Sequence, residues 1–78
     1  MSEDIAERVR KVVGEHFGVD PSKVSDGASF VDDLGADSID RIELVIALQD
    51  EFGCVIPEDA ALGMITVADV VAYIKPRL

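Results

Sequence analysis

A chain of 78 residues with 49% hydrophobic content has room for one small domain, and because so short a chain buries only about 60% of its unfolded surface on folding, little room is left for a deep pocket ringed by catalytic groups. Its formal net charge of −9 and pI of 4.2 exclude nucleic acid as a partner. The single cysteine, Cys54, excludes an internal disulfide framework, and no apolar run approaches the ~20 residues of a membrane span.

The chain reads as a series of helices separated by turn signals, in one domain spanning 1–78 without repeats or a flexible linker. From about Ser2 to Phe17, the residues Ile5, Val9, Val12, Val13 and Phe17 recur at helical spacing. Ser2 is a candidate cap, Glu3 and Asp4 suit the positive end of the helix dipole, and Gly18 is the expected stop. Val19-Asp20-Pro21-Ser22-Lys23-Val24 reads as a turn followed by a short helical turn opened by proline. From Ser25 to Ala36 a long loop is punctuated by Gly27 and Gly35, with Phe30, Val31 and Leu34 as expected anchors to the core; irregular loops of this length are often functional.

A second long helix is predicted from Ser38 to Phe52, capped by Asp37 with Asp40 three residues on, and ended by Gly53. After Pro57 a short helix covers Glu58 to Leu62. Thr66 and Asp69 then form a capping pair for a last helix with Val67, Val70, Val71 and Ile74 on its apolar face, stopped by Pro76. No segment alternates as a strand does. The expected fold is all-α, a small four-helix bundle of three main helices and a short third one.

The helix from Ser38 to Phe52 has a wider apolar arc than one core-facing stripe requires. Leu44, Val45, Leu48 and Phe52 fill one sector, and Ile39, Ile42 and Ile46 extend it, opposite Asp40, Glu43, Asp50 and Glu51. Either the bundle buries the whole arc, or Ile42 and Ile46 remain partly exposed as an apolar patch rimmed by carboxylates. The second arrangement suits partners that carry an apolar socket and basic residues. Residues 26–73 hold eleven acidic residues and a single basic one, Arg41, a field that speeds encounter with basic surfaces and repels polyanions.

A serine beside an aspartate at a helix start is by itself most often only a cap. Here, the run Asp33-Leu34-Gly35-Ala36-Asp37-Ser38-Ile39-Asp40, continued by Ile42-Glu43-Leu44-Val45, resembles the attachment motif of acyl carrier proteins. The resemblance extends over nearly the whole chain. It includes the N-terminal amphipathic stretch, Val19-Asp20-Pro21, Phe30 before the Asp32-Asp33-Leu34-Gly35 run, Glu51-Phe52-Gly53 before Ile56-Pro57, and the closing segment from Thr66 to Ile74. The resemblance implies that Ser38 carries a 4'-phosphopantetheine arm, transferred from coenzyme A by a separate phosphopantetheinyl transferase and flanked by Asp37. The arm's thiol would hold acyl groups as thioesters for acyltransferases, ketosynthases and other acyl-chain enzymes of fatty-acid or related lipid and polyketide synthesis. It further implies docking through Asp37, Ile39, Asp40, Ile42, Glu43, Ile46, Asp50 and Glu51, and an interior that shelters part of an acyl chain. No catalytic residue and no metal ligand is expected, and the protein is expected to act as a monomer. With no apolar signal region after Met1, the expected location is the cytoplasm. His16 is expected to be a structural or surface residue.

Some residues depart from the commonest pattern of that family. Ile39 stands where leucine is usual, Arg41 where a small or β-branched residue is common, and Cys54 follows the Phe52-Gly53 helix end. Residues 60–64 are more apolar than is typical. These differences leave attachment intact and point to a specialised carrier as an alternative assignment. A scaffold subunit of a larger complex is a second alternative, told apart by a complex that survives high salt, since exposed charge pairs are screened. Calcium binding through the acidic stretch from Asp32 to Glu43 fails the spacing of an EF-hand loop. Enzymatic use of Cys54 is disfavoured because no base lies near it in sequence.

Overall fold

The computed structural model describes residues 4–78. Four α-helices follow in order: α1 (Ile5–Phe17), α2 (Ser38–Phe52), α3 (Glu58–Leu62) and α4 (Val67–Ile74), with short 3₁₀ turns at Pro21–Lys23 and Lys75–Arg77. The all-α four-helix bundle expected from the sequence is thus present, and no residue is assigned to a named strand among those described. Ser2 and Glu3, expected to open the first helix, lie outside the described residues. Asp4 occupies the cap position of α1 without a side-chain capping bond.

Local chemistry accounts for the ends of α2 and α4. Asp37 accepts the Asp40 amide at 2.8 Å while the Asp40 carboxylate accepts the Asp37 amide at 3.3 Å. Thr66 and Asp69 exchange the equivalent pair at 3.3 and 3.0 Å. Each box satisfies two amides that the first helical turn leaves without partners. Gly18 and Gly53 end α1 and α2 at φ of 69° and 64°, where a Cβ would be strained. Pro76 does not stop the last helix outright. It sits inside the 3₁₀ turn that continues α4, because proline's fixed φ is compatible with a first turn.

The core is a narrow seam. Val9 and Val13 of α1, Leu44, Leu48 and Phe52 of α2, and Val67, Val70 and Ile74 of α4 are buried together with Val24, Phe30, Ile56 and Met64. The spacing of Leu44, Leu48 and Phe52 shows that α2 buries one stripe and no more. The long loop is held by Phe30, which is 2% exposed, with Leu34 partly buried. Val31, expected as a third anchor, does not hold it: at 47% exposed it lies outside the core. The loop is tied to α4 by an isolated antiparallel bridge between Ser29 and Thr66, with the Phe30 amide donating to the Ile65 carbonyl at 3.0 Å and the Ala68 amide to the Asp26 carbonyl at 2.9 Å.

α1 runs antiparallel to α2. At one end Arg8 lies 4.5 Å over the Phe52 ring and reaches the Glu51 carboxylate at 3.1 Å. Arg10 reaches Asp26 at 2.7 Å. Gly14 has a packing role that periodicity does not reveal: a Cβ there would stand 2.5 Å from the Val19 carbonyl oxygen, which lets the chain turn tightly against α1.

The α4 cap predicts an acid response. Amides of Ile65 and Thr66 donate to the Asp69 carboxylate at 3.0 Å each, and these bonds hold its pKa below the usual 3.8. A depressed folded-state pKa contributes stability above the unfolded value, and that contribution is lost as the pH falls below 3.8 through the lower folded value. Asp69→Asn keeps an acceptor oxygen and removes the titration. Melting followed from about pH 5 to about pH 3 is therefore expected to show a shallower fall in melting temperature for the variant than for the parent; parallel curves would show that ionisation of Asp69 does not contribute.

Candidate functional site

Ser38 is the first residue of α2 and is exposed. The capping contacts at this end are made by Asp37 and Asp40, so the hydroxyl is not consumed as a cap. Between α2 and α3 lies a cavity of about 520 Å³, within the range typical of small-ligand sites. Ser38, Arg41, Ile42 and Ile46 border it on the α2 side, Glu58, Ala61 and Leu62 on the α3 side, and Phe30, Leu44, Leu48, Met64 and Val70 extend it toward the core. The serine thus stands at the rim of an apolar hollow.

The exposed reading of the wide arc on α2 holds. Ile39, Ile42 and Ile46 are 65%, 62% and 51% exposed. Leu62, 68% exposed, joins Ile42 and Ile46 around the cavity. Sequence reasoning did not assign Leu62 to the site, although the unusual apolar character of residues 60–64 was a signal for it. Asp37, Glu43 and Asp50 are exposed and Asp40 partly so. Glu51 is drawn away from this face: it holds Arg8, which also donates to its backbone carbonyl at 3.1 Å. Cys54 is half-buried against the core.

His16 lies nearer the site than its sequence position implies. A donor atom of its ring and carboxylate oxygens of Asp40 and Glu43 all lie within 4.8 Å of one another, and its ring meets Phe17 edge-on at 4.9 Å. The antiparallel pairing of α1 and α2 brings the end of one to the start of the other. Arg41, partly buried, donates to the Leu62 carbonyl at 3.4 Å and spans the cavity mouth.

The family described as "phosphopantetheine attachment site" matches residues 7–74. This chain belongs to that carrier family. The curated acyl carrier proteins of Rhodopseudomonas palustris and Sinorhizobium fredii are 60% and 61% identical to it over 72 residues, 92% of this chain and 91% and 92% of theirs. That of Bradyrhizobium sp. is 59% identical over 92% of this chain and 91% of its own. The prosthetic group of the family is covalently attached 4'-phosphopantetheine, and the site fits it: an exposed hydroxyl opens a 15-residue helix, whose N-terminal dipole favours a phosphodiester. No helix among the described residues is long and apolar enough to cross a membrane.

Proposed function

We propose that the chain is a single carrier domain, 1–78, whose Ser38 bears the phosphopantetheine arm and which catalyses no reaction itself. The observation that carries this reading is an exposed serine at the first position of α2, on the rim of the apolar cavity, in a chain of the attachment-site family. On loading, the Ser38 oxygen bonds to the phosphorus bearing pantetheine, the nucleotide part of coenzyme A leaves, and the hydroxyl proton passes to a base on the transferase. When bound, the arm supplies a thiol that holds acyl groups as thioesters. The chain's own residues do the rest. Asp37 and Asp40 fix the start of the helix, and the cavity shelters part of an acyl chain. Ile39, Ile42 and Ile46, with Asp37, Asp40, Glu43 and Asp50, form the face that meets the transferase, acyltransferases and ketosynthases. Glu51 adds to that face only in part, being paired with Arg8.

The carrier works as a cytoplasmic monomer in fatty-acid or related lipid or polyketide synthesis. Arg41 and the apolar stretch at residues 60–64 favour a dedicated pathway as the second reading. Incubation with coenzyme A and a broad-specificity phosphopantetheinyl transferase, read by intact mass, is expected to add one phosphopantetheinyl unit; an unchanged mass would reject the assignment.

Docking is separable from folding. Ile42→Asp and Ile46→Asp are expected to cost no more than about 1.5 kcal/mol, since both side chains are more than half exposed. They should raise the transferase's KM at least about fivefold, the effect of losing an apolar anchor. Melting curves and loading kinetics on the same samples check this, and equal damage to both would place the two isoleucines in the core.

A further inference from the structure

Arg41 is the single basic side chain between residues 26 and 73, among eleven acidic ones. Ser38 and Arg41 are three residues apart on α2, a spacing that puts their Cβ atoms about 5–6 Å apart on one face, and both border the cavity. A phosphodiester on Ser38 would add an anion beside Asp37 and Asp40, and the guanidinium one turn away is the cation placed to meet it. The partner Arg41 holds now is weak. Its bond to the Leu62 carbonyl is long, 3.4 Å, and made to a neutral acceptor, whereas a bond between guanidinium and phosphate oxygens is charge-assisted and roughly twice as strong.

We infer that Arg41 is a binding residue for the arm's phosphodiester and that it leaves the Leu62 carbonyl to engage it. This rests on the Ser38 assignment. Leu62 is the last residue of α3, and its bond to Arg41 straps that end of α3 to α2 across the cavity mouth. α3 has five residues and none of them is fully buried. A short element with so little apolar burial opens readily, so losing the strap loosens it. Attachment of the arm thereby frees the wall of the hollow that an acyl chain has to enter. The positive charge at position 41, unusual for the family, gains a role specific to this carrier.

The test compares apo and loaded protein by amide hydrogen exchange at Ala61, Gly63 and Met64, whose amides donate to the carbonyls of Pro57, Ala60 and Ala61. Loading is expected to speed exchange at these three amides about threefold, the effect of losing one modest hydrogen bond. Arg41→Gln should exchange at the fast rate in both forms, while Arg41→Lys, which keeps a cation, retains part of the difference. The phosphorus NMR resonance of the loaded protein should differ between parent and Arg41→Gln at low salt and converge at high salt. Equal exchange in apo and loaded parent, or an Arg41→Gln variant that keeps the parent's difference, overturns the inference. Intact mass separates the two possible failures: without mass gain the Ser38 assignment falls, whereas mass gain with unchanged exchange removes the role of Arg41 alone.

Discussion

Ser38→Ala is expected to leave the protein folded and unable to accept a phosphopantetheinyl unit. The loss should be complete, because the oxygen that forms the phosphoester bond is removed and no neighbour replaces it at that position. The fold should tolerate the change for two reasons. Asp37 and Asp40 make the capping bonds of α2, and alanine is the best helix former for an exposed site. A shift in unfolding free energy within about 0.5 kcal/mol is expected. Intact mass after incubation with coenzyme A and transferase, beside a thermal melt of the same sample, reads both outcomes. A mass gain that persists in the variant would move the attachment to another hydroxyl.

The largest expected effect on stability comes from Leu48→Ala. Leu48 is 0% exposed at the middle of the buried stripe of α2, and removing a buried leucine side chain costs about 3 kcal/mol through lost transfer energy and the cavity left behind. A domain of this size has roughly 4–12 kcal/mol in all, so the variant is expected to lose a large share of it. Ile46→Ala, only two residues earlier but 51% exposed, is expected to cost no more than about 1 kcal/mol. Urea titrations of the two variants compare stripe with patch directly. A similar fall in midpoint for both would mean that Ile46 is core, and the proposed docking face would lose its apolar centre.

The helices were legible because their ends carry strong local chemistry. α2 and α3 have the bounds expected from Asp37, Gly53 and Pro57, since capping and termination depend on a few adjacent residues. The position of Ser38 at the head of α2 was legible for the same reason. Residues whose surroundings are set by distant segments were harder to place. Val31 and Phe30 are adjacent and both apolar, yet only Phe30 is buried, because the bridge between Ser29 and Thr66 orients that stretch of loop. Glu51 belonged to the expected acidic face until Arg8, 43 positions away, drew it toward Phe52. His16 meets Asp40 and Glu43 only because α1 packs antiparallel to α2.

Composition, periodicity and capping signals were enough to establish the helical class, the order of elements and the acidic character, and the resemblance to acyl carrier proteins pointed to Ser38 as the residue proposed to bear the arm. All of these depend on residue type and on spacing within a few turns of chain. The tertiary structure alone decided which part of the wide arc of α2 is buried, and it buries Leu44, Leu48 and Phe52 while leaving Ile39, Ile42 and Ile46 outside. It also decided that a cavity opens between α2 and α3 beside Ser38, with Leu62 on its rim and Arg41 across its mouth. The physical reason is that burial and cavities depend on where helices distant in sequence come to lie against one another, and a helical repeat states which residues share a face without stating what that face will meet.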